Sequence, residues 1–300
     1  MIDTGEGKDE YIRILASALR ETAKVSIPTD PDVSDIILSH KHGDHIGGLP
    51  SVLALLRRLW DERNTDGGSG AYKPPRVHKY GPTDSVLQSI IDSLPENSYT
   101  ADPNGPPIHD LKYSKYFSTE SNTPSSMHAL PSTLQLLHTP GHTPDSVAIY
   151  IPSDDALYTA DTVLGQGTAV FEDLGLLITS LSKMHDFAEG KGHKETKLYP
   201  GHGPVVEDGR KLIKTYIQHR LDREAEIVRI LGSDEGGEDG VWTTWTIVSK
   251  IYAAYPQNLW LPAAHSVNLH LKKLERDGRV KCIGGEGKDG RWLAVERNVS

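Results

Sequence analysis

The stretch His40-Lys41-His42-Gly43-Asp44-His45 decides the fold and the chemistry expected of this chain of 300 residues. Three imidazoles and one carboxylate fall within these six residues, directly after the apolar run 33–38 (VSDIIL). A short run of this kind, with Pro31 before it, is typical of a buried strand. The cluster is therefore expected on the loop that leaves the carboxyl end of a strand, where open α/β sheets carry their chemistry. Neutral imidazole and carboxylate are also the ligands that a divalent ion such as Zn²⁺ prefers.

The composition is that of a globular protein with a real core, since apolar residues make up 37% of the chain. The net charge of −9 argues weakly against a protein covered by nucleic acid. The charge is uneven, because residues 241–300 carry nine Lys and Arg against five Asp and Glu, which leaves the remainder at −13. The single cysteine excludes an internal disulfide. No apolar run approaches the length of a membrane span, and residues 1–10 lack the apolar core of a signal peptide. These features predict a cytoplasmic protein.

Hydrophobic periodicity predicts a catalytic domain over 1–231, a linker over 232–240 and a small domain over 241–300. Residues 61–128 are rich in Gly, Pro, Ser, Asn and Asp, and we interpret them as an insertion with one helix near 83–94. In the last domain, two helices followed by two short strands are the layout of a winged helix. The other predicted helices cover 11–22, 49–60, 173–187, 207–231, 243–254 and 262–276. The predicted strands cover 33–39, 134–137, 147–151, 156–158, 197–199, 279–283 and 291–295.

Four segments along the chain resemble loops that bind metal, and each follows a strand-like run. Together they contribute five histidines and two aspartates, the inventory for two metal ions with open positions for water. A single histidine in such a loop is more often a hydrogen-bonded structural residue, but four segments in order outweigh that interpretation. Asp161 is suited to bridge two cations, because a shared anion offsets their repulsion. The candidate ligands are His40, His42, Asp44, His45, His142, Asp161 and His202.

This ordered set resembles the metallo-β-lactamase superfamily, whose fold is an αββα sandwich of the α/β class (four layers, α+β) with a dinuclear site at one edge of the sheets. The resemblance implies that one ion is held by His40, His42 and His142. It implies that the other ion is held by Asp44, His45 and His202, with Asp161 as the bridge. The early segment 1–7 (MIDTGEG) resembles the superfamily's first aspartate motif, so Asp3 is expected to support the metal loop from behind its ligands.

Further motifs narrow the resemblance to one branch of the superfamily. This branch contains the beta-lactamase-like protein 2 type of endoribonuclease and the acyl-carrier-protein thioesterases of fungal polyketide clusters. Members of this branch carry further strands ahead of the aspartate motif. The resemblance therefore implies either that this sequence is shortened at its start or that the protein folds with an exposed sheet edge. The motifs are 165–168 (GQGT), 170–173 (VFED), 216–220 (YIQHR) and 268–280 (NLHLKKLERDGRV).

The residues predict hydrolysis by a metal-activated water. Metal coordination lowers the pKa of water toward about 7, and the resulting hydroxide attacks a carbonyl or phosphoryl centre. Asp44 and Asp161 are the candidate catalytic carboxylates, with Asp44 orienting the nucleophile and passing its proton on. No G-x-S-x-G motif or Cys–His arrangement offers a protein nucleophile. The resemblance implies two Zn²⁺ per chain.

Two substrate classes stay open. The first is a polyketide thioester on an acyl carrier protein, which the resemblance of 49–60 and 159–167 to the fungal thioesterases favours. A carrier protein is usually acidic, so the basic residues of 241–300 are its expected docking surface, and the 61–128 segment is expected to line an acyl pocket. The second is single-stranded RNA or DNA, with the same basic residues meeting phosphates. Those residues are Lys272, Lys273, Arg276, Arg279, Lys281, Lys288 and Arg291.

Overall fold

The computed structural model describes residues 1–23, 31–64, 71–113, 116–118, 133–190 and 196–295. The chain forms two compact units, and both are assembled from separate stretches of sequence. Unit one contains Met1–Thr139, Thr143–Ala160 and Tyr199–His202. Unit two contains Pro140–His142, Asp161–Leu198 and Gly203–Ser300.

Unit one is built on two β-sheets. Strands β1 (Asp35–Leu38), β2 (Arg76–Lys79) and β3 (His109–Asp110) form a parallel sheet in that order. The second sheet has the order β4-β5-β6-β7-β8, and β4 to β7 are antiparallel. Its strands are β4 (Tyr116–Ser118), β5 (Thr133–His138), β6 (Val147–Ile151), β7 (Ala156–Ala160) and β8 (Lys197–Pro200), which begins in unit two. The helices are α1 (Asp9–Ala23), α2 (Gly43–Ile46), α3 (Leu49–Arg63) and α4 (Ser85–Asp92).

Strand β1 is buried on both faces, which explains the three successive apolar residues Ile36, Ile37 and Leu38. Ile36 and Leu38 pack into a core that α3 and α4 complete. Ile37 points to the opposite face and packs against Val147 and Ile149 of the second sheet. Alternate side chains of one strand therefore join a helical layer to a second sheet, and the polar residues after Leu38 emerge where these layers end.

Strand β2 lies within 61–128, where the sequence predicts long loops around one helix, and is a correction to that expectation; the insertion itself stays a prediction. Helix α4 is present as predicted, but Arg76–Lys79 forms the middle strand of the parallel sheet. The sequence pattern missed it because two of its four residues, His78 and Lys79, are polar and yet buried. His78 bonds the carboxylate of Asp35 at 2.8 Å, and Lys79 pairs with Asp145 at 2.8 Å. Partners of this kind offset the desolvation that otherwise keeps polar side chains out of a core.

The described residues of unit two form four α-helices and a small antiparallel sheet of order β10-β11-β9. Helix α6 begins at the cap residue Asp208, whose side chain accepts a hydrogen bond from the backbone of Lys211. Helix α7 begins with a capping box between Thr243 and Thr246. The elements are α5 (Leu174–Gly190), α6 (Gly209–Leu231), α7 (Thr244–Ile251), α8 (Trp260–Arg276), β9 (Trp242–Thr243), β10 (Val280–Gly284) and β11 (Arg291–Ala294).

Residues 241–295 show the two helices and the hairpin predicted from the sequence. Trp242 is buried in their core, with Trp245 and Trp260 packed against it. The end of α6 contributes Ile227 and Ile230 to the same core. The boundaries at 231 and 241 stay a prediction.

The remaining predicted helices and strands are present, with small shifts at their ends. Within the described part of the chain, no helix combines the length and hydropathy needed to cross a membrane. The cytoplasmic location stays a prediction.

Candidate metal centre

Five of the seven predicted ligands lie in unit one, just past the ends of two strands. His40 and His42 follow β1, Asp44 and His45 sit on the one-turn helix α2, and His202 follows β8. The carboxyl end of β1 and the end of β8 thus present the side chains that the sequence motifs singled out.

These five side chains have the spacing of metal ligands. Nε2 of His202 lies 3.0 Å from Oδ2 of Asp44, and Nε2 of His45 lies 3.8 Å from the same oxygen. One donor atom from each of these three residues lies within 4.8 Å of the others. Nε2 of His40 is 3.2 Å from Nδ1 of His42. Two nitrogen ligands on one tetrahedral zinc are about 3.3 Å apart, given zinc–nitrogen bonds of about 2.0 Å, so the spacing fits a divalent ion.

Two of the histidines are held by hydrogen bonds at the nitrogen that a metal would not use. Nδ1 of His45 lies 2.8 Å from Oδ2 of Asp3, and Nδ1 of His40 lies 3.0 Å from Oγ of Ser39. With Nδ1 as the proton donor, Nε2 becomes the basic nitrogen of the ring. This arrangement fixes the tautomer and the orientation of metal-binding histidines in general.

Asp3 is the hub of this support, as the first aspartate motif predicts. Its backbone N–H donates to the carbonyl of Ile37, which places it beside the end of β1. Its carboxylate accepts from the backbone and the hydroxyl of Ser39, both at 2.7 Å, and from the hydroxyl of Tyr158 at 2.5 Å. Sequence reasoning missed Ser39 and Tyr158. Ser39 offered one signal, its place directly before His40, whereas Tyr158 lies 155 residues from Asp3 and offered none.

The other two predicted ligands, His142 and Asp161, lie in unit two and face each other. Nε2 of His142 is 3.8 Å from Oδ2 of Asp161. Nδ1 of His142 lies 2.8 Å from the carbonyl of Val170, so this ring is also anchored through Nδ1. His142 is buried, and both side chains therefore have a defined orientation.

The Pro-Gly-His turn that carries His142 requires its glycine. Gly141 has a φ of +138°, and a Cβ at this position would lie 2.4 Å from the backbone nitrogen of Leu177. Its carbonyl accepts hydrogen bonds from the backbone of Glu172 and Asp173, just before α5. Only a residue without a side chain can approach a helix this closely in that conformation, so the turn presses the histidine loop against the start of α5.

The donor set as a whole fits divalent metal ions. Imidazole and carboxylate are the ligands that zinc and related ions select, and three of the rings are anchored at Nδ1. That all seven residues surround one pair of ions stays a prediction.

Two family models match the chain. The model of the metallo-beta-lactamase superfamily matches residues 1–57 and 125–202, which include every predicted ligand. The model of the beta-lactamase associated winged helix domain matches residues 243–292. The two helices and the hairpin at the end of the chain are therefore a winged helix domain.

Relatives of the whole chain agree with these matches. The beta-lactamase-like protein 2 homolog of Drosophila melanogaster is 34% identical over 282 residues, covering 94% of this chain and 80% of that protein. An atrochrysone carboxyl ACP thioesterase of Aspergillus terreus is 26% identical over 305 residues, covering 98% of this chain and 76% of that protein. A beta-lactamase domain protein of Burkholderia ambifaria has a similar fold, with a TM-score of 0.62 and 15% identity over 98% of this chain and 82% of that one. This chain belongs to the metallo-beta-lactamase superfamily, in the branch of beta-lactamase-like protein 2 and the fungal lactamase-like thioesterases.

Proposed function

We propose that the protein is a dinuclear hydrolase that works with two Zn²⁺ ions. One ion would be held by His40, His42 and His142. The other would be held by Asp44, His45 and His202, with Asp161 as the bridge. The observation that carries this proposal is the set of imidazoles anchored at Nδ1 beside Asp44, in a chain of the metallo-beta-lactamase superfamily.

The residues divide the chemistry between them. When bound, divalent cations supply Lewis acidity, which makes water acidic enough to lose a proton near neutral pH and polarises a carbonyl oxygen. Asp44 is about two-fifths exposed, so its carboxylate can reach an incoming water, orient it by a hydrogen bond and take up its proton. Asp3 keeps His45 in one tautomer while this happens.

The substrate we favour is a polyketide acyl chain bound to an acyl carrier protein through a thioester. Support comes from the Aspergillus terreus relative, whose name states an ACP thioesterase. Charge supports it as well, because residues 241–300 are basic in an otherwise acidic chain and can attract an acidic carrier protein. The reaction would release the acyl chain in secondary metabolism.

A small cleft in unit one with a mostly apolar surface lies beside the metal loop, and it supports the proposal of an acyl substrate. It has a volume of about 200 Å³ and is lined by Lys41, between two predicted ligands, and by Pro144, which follows the His142 turn. The segment Tyr80–Pro82 forms another wall, which supports the proposal that the 61–128 region contributes to an acyl pocket. The ring of Tyr80 stacks on that of His138 at 3.8 Å, which gives this wall a rigid apolar surface.

The second candidate is hydrolysis of single-stranded RNA or DNA. It is favoured by exposed basic side chains on the winged helix domain, among them Lys272, Lys281 and Arg291. Two of the other basic residues are committed to ion pairs, since Lys273 contacts Glu224 and Arg276 contacts Asp173. This leaves fewer cations for phosphates than the sequence suggested.

The test compares two substrates on the zinc-loaded protein: an acyl thioester on a carrier protein and a labelled single-stranded RNA. We expect release of the carrier thiol while the RNA stays intact, and loss of the activity when zinc is removed with a chelator. Zinc should bind at about two ions per chain. RNA cleavage without thiol release would replace the thioesterase by the nuclease.

A pair of variants separates the chemistry from the fold. Asp44→Asn should lower thiol release by about 100-fold or more, because the amide cannot accept a proton. Asp186→Asn, on the exposed face of α5, should keep full activity. Equal activity of both variants would contradict the role of Asp44.

A further inference from the structure

Unit two contains a cleft of about 540 Å³ that the proposed chemistry does not use. It lies between the segment 168–171, α6 and α8. Val170 lines it, and the carbonyl of Val170 accepts the Nδ1 hydrogen bond of His142. One wall of the cleft is therefore in direct contact with a predicted metal ligand.

The cleft contains a partly buried guanidinium without a carboxylate partner. Arg220 donates to the carbonyl of Ala169 at 2.9 Å, and its guanidinium lies 4.6 Å from the centre of the Phe171 ring. Within the described part of the chain, Arg220 forms no ion pair. Burial lowers the pKa of Arg220, yet an arginine stays charged in proteins. A guanidinium in such surroundings presents its N–H groups to an anion.

His270 supplies a second polar group, from α8. Its side chain is 1% exposed, and in the described structure its Nδ1 has no hydrogen-bond partner. Burial, together with the charges of Arg220, Arg223 and Lys273, lowers the pKa of His270 to about 3. The ring is therefore neutral and lies near several positive charges. Its N–H can donate a hydrogen bond to an anion without the ring having to take up a proton.

Of the other charged residues that line the cleft, two form an ion pair and one is exposed. Arg223 pairs with Glu226 at 2.7 Å and lies over the ring of Tyr252. Asp222 is exposed and accepts a hydrogen bond from Gln218. Arg220, a partly buried cation that forms no ion pair among the described residues, and His270, a neutral donor, together suit a single phosphate group, whereas a nucleic acid strand requires a row of cations.

We propose that this cleft binds the phosphate at the far end of the thiol arm that the thioester substrate carries, on Arg220 and His270. The assignment rests on the proposed thioesterase function, in which the leaving group is a thiol joined through a flexible arm to a phosphate. The apolar side chains of Phe171 and Leu269 line the same cleft and suit the body of such an arm. The site would position the arm beside His142 through Val170.

The test measures binding to the zinc-loaded protein by calorimetry, without turnover. The two probes are S-methylated 4′-phosphopantetheine and S-methylated pantetheine, which differ only in the phosphate and carry no thiol to bind metal. We expect the phosphorylated probe to bind at least about 10-fold more tightly. Arg220→Met should abolish this preference, whereas Arg229→Met, exposed on the same helix, should keep it. Arg220→Lys keeps the positive charge but loses the paired N–H donors of the guanidinium, so it should retain part of the preference.

Each outcome decides the proposal. Equal binding of the two probes, or a preference that survives Arg220→Met, would overturn it even if the protein hydrolyses thioesters. A preference that depends on Arg220, in a protein that releases no thiol, would leave the phosphate site standing and refute the thioesterase. Binding of a short single-stranded RNA that depends on Arg220, with no preference between the probes, would assign the cleft to nucleic acid.

Discussion

The carboxylate of Asp3 lies 2.8 Å from Nδ1 of His45, a residue 42 positions further along the chain. The contact joins the start of the chain to the one-turn helix that carries two predicted ligands. It forms because residues 1–3 run beside β1, where Ile2 pairs with Ile37. Residues 1–3 thus hold the histidine cluster in place from the side of β1.

Asp3→Asn should weaken metal binding without unfolding the protein. The amide keeps the shape of the carboxylate but cannot hold the His45 ring as firmly, and loss of such a support reduces metal affinity by about 10- to 100-fold. Competition with a chromogenic chelator measures the affinity. Asp9→Asn, exposed on α1, is the matched control and should leave the affinity unchanged. An unchanged affinity of Asp3→Asn would show that the hydrogen bond does not support the ligand.

Asp161→Ala should abolish hydrolysis while the winged helix domain stays folded. The change removes the proposed bridging carboxylate, and two cations about 3.5–4 Å apart repel strongly without an anion between them. Metal analysis should find fewer than two ions per chain. The near-ultraviolet circular dichroism to which the buried Trp242 contributes should persist, because this residue packs in the core with α7 and α8. Full activity of the variant would refute the bridge.

Lys79→Met should destabilise the protein by about 3 kcal/mol, because it leaves the carboxylate of Asp145 without the ammonium that lies 2.8 Å away. Lys79 is 2% exposed, so water cannot replace the lost partner. Urea unfolding measures the change. Adding Asp145→Asn should restore part of the stability, and Lys73→Met, exposed before β2, should have little effect. Equal stability of Lys79→Met and the parent would mean that the pair contributes nothing.

His270 should make the protein sensitive to mild acid. Its folded pKa of about 3 is below the ordinary value of 6.5, so the unfolded chain binds the proton first as the pH falls. The stability that depends on the neutral ring is complete above pH 6.5 and is lost below it, at about 1.4 kcal/mol per pH unit. Between about pH 6 and about pH 5, the free energy of unfolding should therefore fall more steeply with decreasing pH for the parent than for His270→Phe. His265→Phe, exposed on the same helix, should follow the parent, and parallel curves for all three proteins would refute the shift.

Much of the fold could be predicted because its strongest signals are local. The run ending in Leu38 gave β1, and the turn residues around His142 and His202 marked loops after strands. Strand β2 could not be found this way, since His78 and Lys79 look like surface residues until Asp35 and Asp145 are brought to them. Burial of a polar residue depends on a partner distant in the sequence, and no local pattern records that partner.

The site shows the same division. The candidate ligands could be named from the sequence, because a metal demands several donors and the loop His40–His45 supplies four of them within six residues. Tyr158 could not be predicted, since its importance comes from the Asp3 carboxylate, which another segment supplies. Arg220 belongs to the 216–220 motif, but its contact with the Phe171 ring depends on another segment and could not be predicted.

The interleaved order of the two units has a consequence for dissecting the protein. The chain passes from one unit to the other directly before Asp161, directly after His142 and directly after His202. No single cut can release either unit as a contiguous fragment. Each point at which the chain crosses between the units lies near a proposed ligand. A cut between His142 and Asp161 leaves each fragment with only part of the proposed ligand set, so we expect neither fragment to hydrolyse the substrate by itself.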